Sequence, residues 1–127
     1  MIVGIGVDLV EMQRVERLVV EYGERFAARV LTQREIDAYR HSSRPIAYLA
    51  SRFAAKEALS KALGTGLRHP VTLHAISVVS DEIGRPELRF HAELPAYLQR
   101  RGVGQAHLSL AHEHGMACAM VVLESTQ

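Results

Sequence analysis

The chain has 127 residues, 48% of them hydrophobic, enough for one compact domain with a buried core and too few for two. A formal net charge of +1 gives no global field of the kind nucleic-acid binders show, and no apolar run reaches the roughly 18 to 20 residues of a membrane-spanning helix. One cysteine, Cys118, excludes an internal disulfide, and no charged-then-apolar leader precedes the first element, so a soluble, reduced, cytoplasmic protein is expected.

"IVGIGVDLVE" sets Val3, Ile5, Val7 and Leu9 against Gly4, Gly6 and Asp8, which predicts a strand with one apolar face. The bare glycine face implies that something approaches the backbone closely there. Helical spacing follows from about Val10 to Phe26, with a break at Gly23. Arg14, Arg17, Arg25 and Arg29 lie in and just beyond this region, interleaved with Glu11, Glu16, Glu21 and Glu24, so charge count alone reads it as a mixed solvated face. Thr32 and Glu35 have the spacing of a capping box at the start of the next helix, which makes Glu35 structural. A long helix is predicted from Pro45 to Leu63, with Gly64 as its C-cap. Two strands joined at "DEIGRP", a short helix in "LPAYLQRRG" and a hairpin turning near His114-Gly115 complete the chain. The last strand is apolar or small on both faces, Met116, Cys118, Met120 and Val122 against Ala117, Ala119, Val121 and Leu123. A strand buried on both sides in so small a chain calls for a covering layer or a partner subunit. Residues 1–127 thus read as a single α+β domain with an N-terminal strand, several helices and a mainly antiparallel sheet.

Neither glycine cluster is a nucleotide loop: "GTG" follows a helix, and "GIGVDL" lacks the third glycine of a dinucleotide fingerprint. The charges inside "RFAAKEALSKALGTG" are more informative. Thirteen of the fifteen basic residues are arginine, and the only lysines, Lys56 and Lys61, both fall in this alanine-rich helix. Glu57 and Lys61 are one helical turn apart. Asp8 and Glu57, if brought together, would form a hard oxygen site suited to Mg2+. Spacing leaves equally open that Asp8 caps a helix and Glu57 pairs with Lys61. Lys56, about 100° round the helix from Glu57, reads as the more tolerant of the two lysines. His107, His112 and His114 do not have a zinc spacing, and His112 alone could donate to an anion.

"GIGVDLVE", "RFAAKEALSKALGTG" and "LSLAHEHGMACAMVVLE", in this order and over nearly the whole chain, resemble the stand-alone holo-acyl-carrier-protein synthases of the 4'-phosphopantetheinyl transferase superfamily. The resemblance implies the fold of that superfamily, a homotrimer with active sites at subunit boundaries, and Mg2+-dependent transfer of phosphopantetheine from coenzyme A to a serine of an acyl carrier protein. The products would be the holo carrier, for fatty acid or polyketide synthesis, and 3',5'-ADP. Asp8 and Glu57 match the metal ligands, and Glu57 and Lys61 the catalytic pair. Arg52, Lys61, Gly64, Arg85, Pro86 and His112 match coenzyme A contacts, while Arg14, Arg25, Phe26 and Arg29 match the carrier-docking strip. In that picture Gly4 and Gly6 clear room beside the metal, and the Met116-Cys118-Met120-Val122 face is the candidate centre of the trimer, its opposite face the alternative. The residues alone also admit a Mg2+-dependent phosphohydrolase and a non-catalytic nucleotide-sensing module.

Overall fold

The computed structural model describes residues 1–126. The elements, in chain order, are β1 (Ile2–Glu11), α1 (Met12–Tyr22), α2 (Glu24–Val30), α3 (Gln33–Arg40), α4 (Pro45–Leu63), a 3-10 turn (Leu73–Ala75), β2 (Ile76–Ser80), β3 (Pro86–Phe90), α5 (Leu94–Arg100), β4 (Val103–Glu113) and β5 (Met116–Ser125). The strands form two antiparallel sheets, one of order β1-β5-β4 and one pairing β2 with β3. Val10, expected to open a helix, is instead a buried strand residue opposite Ala117, and α1 begins at Met12.

Helix α4 is the centre of the domain. Proline at its first turn suits a position whose N–H has no helical partner, and Gly64 ends it in the left-handed region at φ 75°, donating its N–H to the Lys61 carbonyl. The Arg101 guanidinium donates to the Leu63 carbonyl at 2.7 Å, satisfying another terminal acceptor. Leu49, Ala50, Ala54, Ala55, Ala58 and Leu59 are fully buried along its length. Each leucine contributes about 1.5 to 3 kcal/mol by leaving water, while the alanines let the three-stranded sheet approach.

That approach sets the facing of β1. Gly4, Gly6 and Asp8 share a face with Leu123, Val121 and Ala119 of β5, and this is the face turned to α4. A Cβ on Gly6 would stand 2.7 Å from Ala62 N and closer still to the Ala58 carbonyl oxygen. The close neighbour implied by the glycines is therefore the helix backbone, and the expectation that Gly4 and Gly6 clear room for a metal is corrected: they clear room for α4. The alternating Val3, Ile5, Val7 and Leu9 point outward, Ile5 being 61% and Leu9 63% exposed.

The Thr32–Glu35 capping box is present in full. Glu35 does more than cap. Its buried carboxylate also accepts from Val78 N at 2.7 Å and from Lys56 Nζ at 2.7 Å. Lys56 is wholly buried and donates further to the carbonyls of Val30 and Leu73, so the tolerance expected of it is corrected. Burial pushes its ammonium below the ordinary lysine value, with the charge of Glu35 opposing.

Candidate active site

Asp8 leaves the inward face of β1 near the strand's end, and Glu57 leaves the flank of α4, so the packing of β1 on α4 brings the two carboxylates to one groove of about 360 Å3. Arg14, Leu18, Phe26 and Phe53 complete its walls, with Glu11 at the edge. Burial first, and the charge of Asp8 second, raise the Glu57 carboxyl above the usual carboxylate range.

Lys61 leans across to β1 instead of along its own helix. Its Nζ donates to Asp8 Oδ1 at 2.9 Å and to the Val7 carbonyl at 3.1 Å. The alternative in which Lys61 simply pairs with Glu57 is thereby set aside; among the described residues no ion pair joins them. The hydrogen bond to Asp8 and its charge raise the Lys61 pKa, so the side chain stays cationic. Two of its three N–H donors are engaged, which leaves one for a phosphate oxygen.

These donors fit Mg2+. Glu57 has no ion-pair partner among the described residues, and a divalent cation beside it and Asp8 would offset both the burial that chiefly raises its carboxyl and the lesser repulsion from Asp8. Two carboxylates are enough for a metal that habitually keeps waters and substrate phosphates as its other ligands.

The remaining expected residues fall in separate places. Arg25, Phe26 and Arg29 line one groove with Leu18 and Tyr22, and Leu18 and Phe26 also line the carboxylate groove, which Arg14 borders. Arg52 and His112 share a groove with Arg44 and Tyr48. There the Arg52 guanidinium stacks 3.9 Å from the Tyr48 ring centre, and its Nε is buried without a hydrogen-bond partner, a donor that an anion would satisfy. Arg85 and Pro86 line a third groove, against β4. Arg85 also closes the β2–β3 turn, its N–H donating to Asp81 Oδ1 at 2.8 Å and its Nε to Oδ2 at 3.2 Å. Gly64 acts as the helix cap described above. Tyr48 and Arg44 were not anticipated. Tyr48 stands four residues before Arg52, a spacing that places both on one helical face and could have flagged it.

Hard oxygen donors, a committed lysine and a cationic strip running into the same groove suit the transfer of a phosphate-linked group onto a docked partner. A sequence model of the 4'-phosphopantetheinyl transferase superfamily matches residues 4–119. The holo-[acyl-carrier-protein] synthase of Nitrosospira multiformis is 53% identical over 124 residues, 98% of this chain and 99% of that protein. The crystal structure of the Neisseria meningitidis holo-[acyl-carrier-protein] synthase superposes with a TM-score of 0.95 at 40% identity, covering 98% of this chain and all of that one. A Bacillus anthracis holo-(acyl-carrier-protein) synthase, solved in complex with CoA (3',5'-ADP), gives 0.81 at 39% identity, covering 98% of each chain. The chain belongs to the 4'-phosphopantetheinyl transferase superfamily.

Proposed function

We propose that the chain transfers 4'-phosphopantetheine from coenzyme A to a serine of an apo acyl carrier protein, releasing 3',5'-ADP. The observation that carries the reading is the pair of grooves that share Leu18 and Phe26: a carrier seated on Arg25, Phe26 and Arg29 would lie next to the groove that holds Asp8 and Glu57. Acidic carriers would be drawn to that strip, with Arg14 at its inner end.

Asp8 and Glu57 would hold Mg2+, which when bound supplies neutralisation of the pyrophosphate. The protein's own groups do the rest. The serine oxygen bonds to the β-phosphorus as the bond to the 3',5'-ADP oxygen breaks, and the free N–H of Lys61 steadies the charge moving between them. Glu57, directly or through a water, is the local group suited to take the serine proton. Arg52 and His112, and separately Arg85 and Pro86, bind distal parts of coenzyme A. Their separation into grooves of one chain favours a site completed by a neighbouring subunit.

The assembly we propose is a cytoplasmic homotrimer. The outward face of the three-stranded sheet carries Val3, Ile5, Val7 and Leu9 beside Cys118, Met120 and Val122, a continuous apolar patch that a lone domain leaves in water. This is the Met116-Cys118-Met120-Val122 face, since Ala117, Ala119, Val121 and Leu123 are buried on α4.

Incubation with coenzyme A, Mg2+ and apo carrier, read by mass spectrometry, tests the reaction. Phosphopantetheinylated serine and 3',5'-ADP are expected, lost in folded Asp8→Ala and Glu57→Ala variants. Nucleotide cleavage without carrier would identify a hydrolase, and binding without conversion a sensor.

A further inference from the structure

Lys56 and Glu35 form a buried charge pair that the transfer chemistry leaves unused. Lys56 precedes Glu57 by one residue, and its side chain has 0% exposure. All three of its N–H donors are engaged, by Glu35 Oε1 at 2.7 Å, the Val30 carbonyl at 2.7 Å and the Leu73 carbonyl at 3.0 Å. The acceptors come from three separate segments: the first turn of α3, the end of α2 and the 3-10 turn before β2. Val30 is the last residue of α2, so its carbonyl is among those a helix end leaves without an internal partner, and a cation there also meets the negative end of the helix dipole. The same helix carries Arg25, Phe26 and Arg29.

Stability alone does not account for a lysine at this point. Desolvation offsets most of the attraction in a buried ion pair, and apolar replacements of similar volume are often neutral or stabilising. An apolar side chain cannot, however, hold three acceptors from three elements in fixed relation to α4. We propose that Lys56 is a positioning residue for the transfer: it ties the end of the docking helix to α4 beside Glu57, so that the docked carrier and the reacting groups keep one register. The inference rests on the transferase reading above. It has kinetic weight because a misplacement of about 1 Å costs on the order of 10²-fold in rate.

Three variants test it, with rates expressed per folded molecule at low temperature and the folded fraction read by circular dichroism. Glu35→Gln keeps the cap on α3 and leaves Lys56 its two backbone acceptors, which even a neutral lysine amine can still reach. Lys56→Met combined with Glu35→Gln removes the tether without leaving a buried charge. Leu98→Ala destabilises the core from α5, away from the tether. The double variant is expected to lose at least about tenfold in kcat, while KM for coenzyme A and calorimetric affinity for the apo carrier stay within about threefold. Glu35→Gln and Leu98→Ala are expected to keep kcat within about threefold of the native protein. A double variant with native kcat would overturn the proposal, as would an equal kcat loss in Glu35→Gln or Leu98→Ala. Should the double variant not fold, Lys56→Gln takes its place under the same criteria; failure of both to fold also overturns it, because Lys56 would then serve the fold itself. Native protein that makes no holo carrier defeats the transferase reading and this proposal together, whereas native turnover with an unaffected double variant defeats the proposal alone.

Discussion

Replacing Gly6 by alanine adds one methyl group at the tightest contact between β1 and α4. The new Cβ would lie 2.7 Å from Ala62 N and nearer still to Ala58 O, where real contacts essentially never fall below 3.0 Å. Both obstacles are backbone atoms of a buried helix, so no side chain can rotate away and the strand must lift. Overpacking of a core typically costs about 1 to 3 kcal/mol, and an immovable neighbour puts this case at about 3 kcal/mol or above. Against a total stability of roughly 5 to 15 kcal/mol, the melting temperature should fall by about 10 °C or more. The same lift carries Asp8, two residues along the same face, away from Glu57 and Lys61. Transfer should therefore drop by on the order of 10²-fold in the molecules that remain folded. Thermal denaturation by circular dichroism at one protein concentration, with product formation by mass spectrometry, reads both effects. Gly115→Ala is the control: its φ of 76° is unfavourable for alanine, but a Cβ there meets nothing, so only about 1 kcal/mol and no direct effect on chemistry are expected. A Gly6→Ala variant with native melting temperature and native turnover would refute the close-packing argument.

Lys61→Arg should reduce kcat markedly, because a planar fork cannot keep both Asp8 and Val7 O while offering a point charge to phosphate; native kcat would show that no such geometry matters. Glu57 is held above the usual carboxylate range in the metal-free protein, so Mg2+ binding, which needs its ionised form, should tighten as pH rises through that raised value; a calorimetric affinity independent of pH would contradict this. In the metal-free protein, Glu57's contribution to stability runs the other way: the folded state keeps its proton longer than the unfolded state, so this contribution falls as pH rises between the two values. Asp8→Asn removes one cause of the elevation, and carboxyl NMR of the metal-free protein should find the Glu57 midpoint lowered; an unchanged or higher midpoint would contradict the coupling. Added salt should raise KM for the carrier more than for coenzyme A, and a flat response would point to an apolar contact through Phe26 and Leu18. Met120→Asp should dissociate the assembly and abolish activity together, and a fully active monomer in sedimentation would refute the shared site.

What the sequence made legible is what local chemistry decides. The capping box at Thr32 and Glu35, the proline and glycine bounding α4, and the turn at His114-Gly115 all depend on residues a few positions apart. A close approach at the bare face of β1 was legible but its identity was not, because alternation identifies an apolar side without saying what covers it, and glycines carry no side chain to mark a core. The lysines were harder still. Lys56 finds its partners 17 to 26 positions away, and Lys61 reaches Asp8 across 53, so nothing within their own helix distinguishes a buried tether from a site cation. The Asp8–Glu57 pairing became readable through the order of three motifs, and its groove required the packed fold.

The pairing of β1 with β5 also has a consequence for how the protein comes to be made. Asp8 and its strand are synthesised well before β5, yet among the described strands β1 pairs only with β5. Until Met116–Ser125 is available, β1 is a segment of glycine and exposed valine, isoleucine and leucine with no partner edge, although α4 and its two lysines have already been synthesised. Contacts between residues so distant in sequence form slowly, because the loop must close before they are made. Both carboxylates are thus synthesised before the groove can exist, and the groove forms only once β5 has paired with β1.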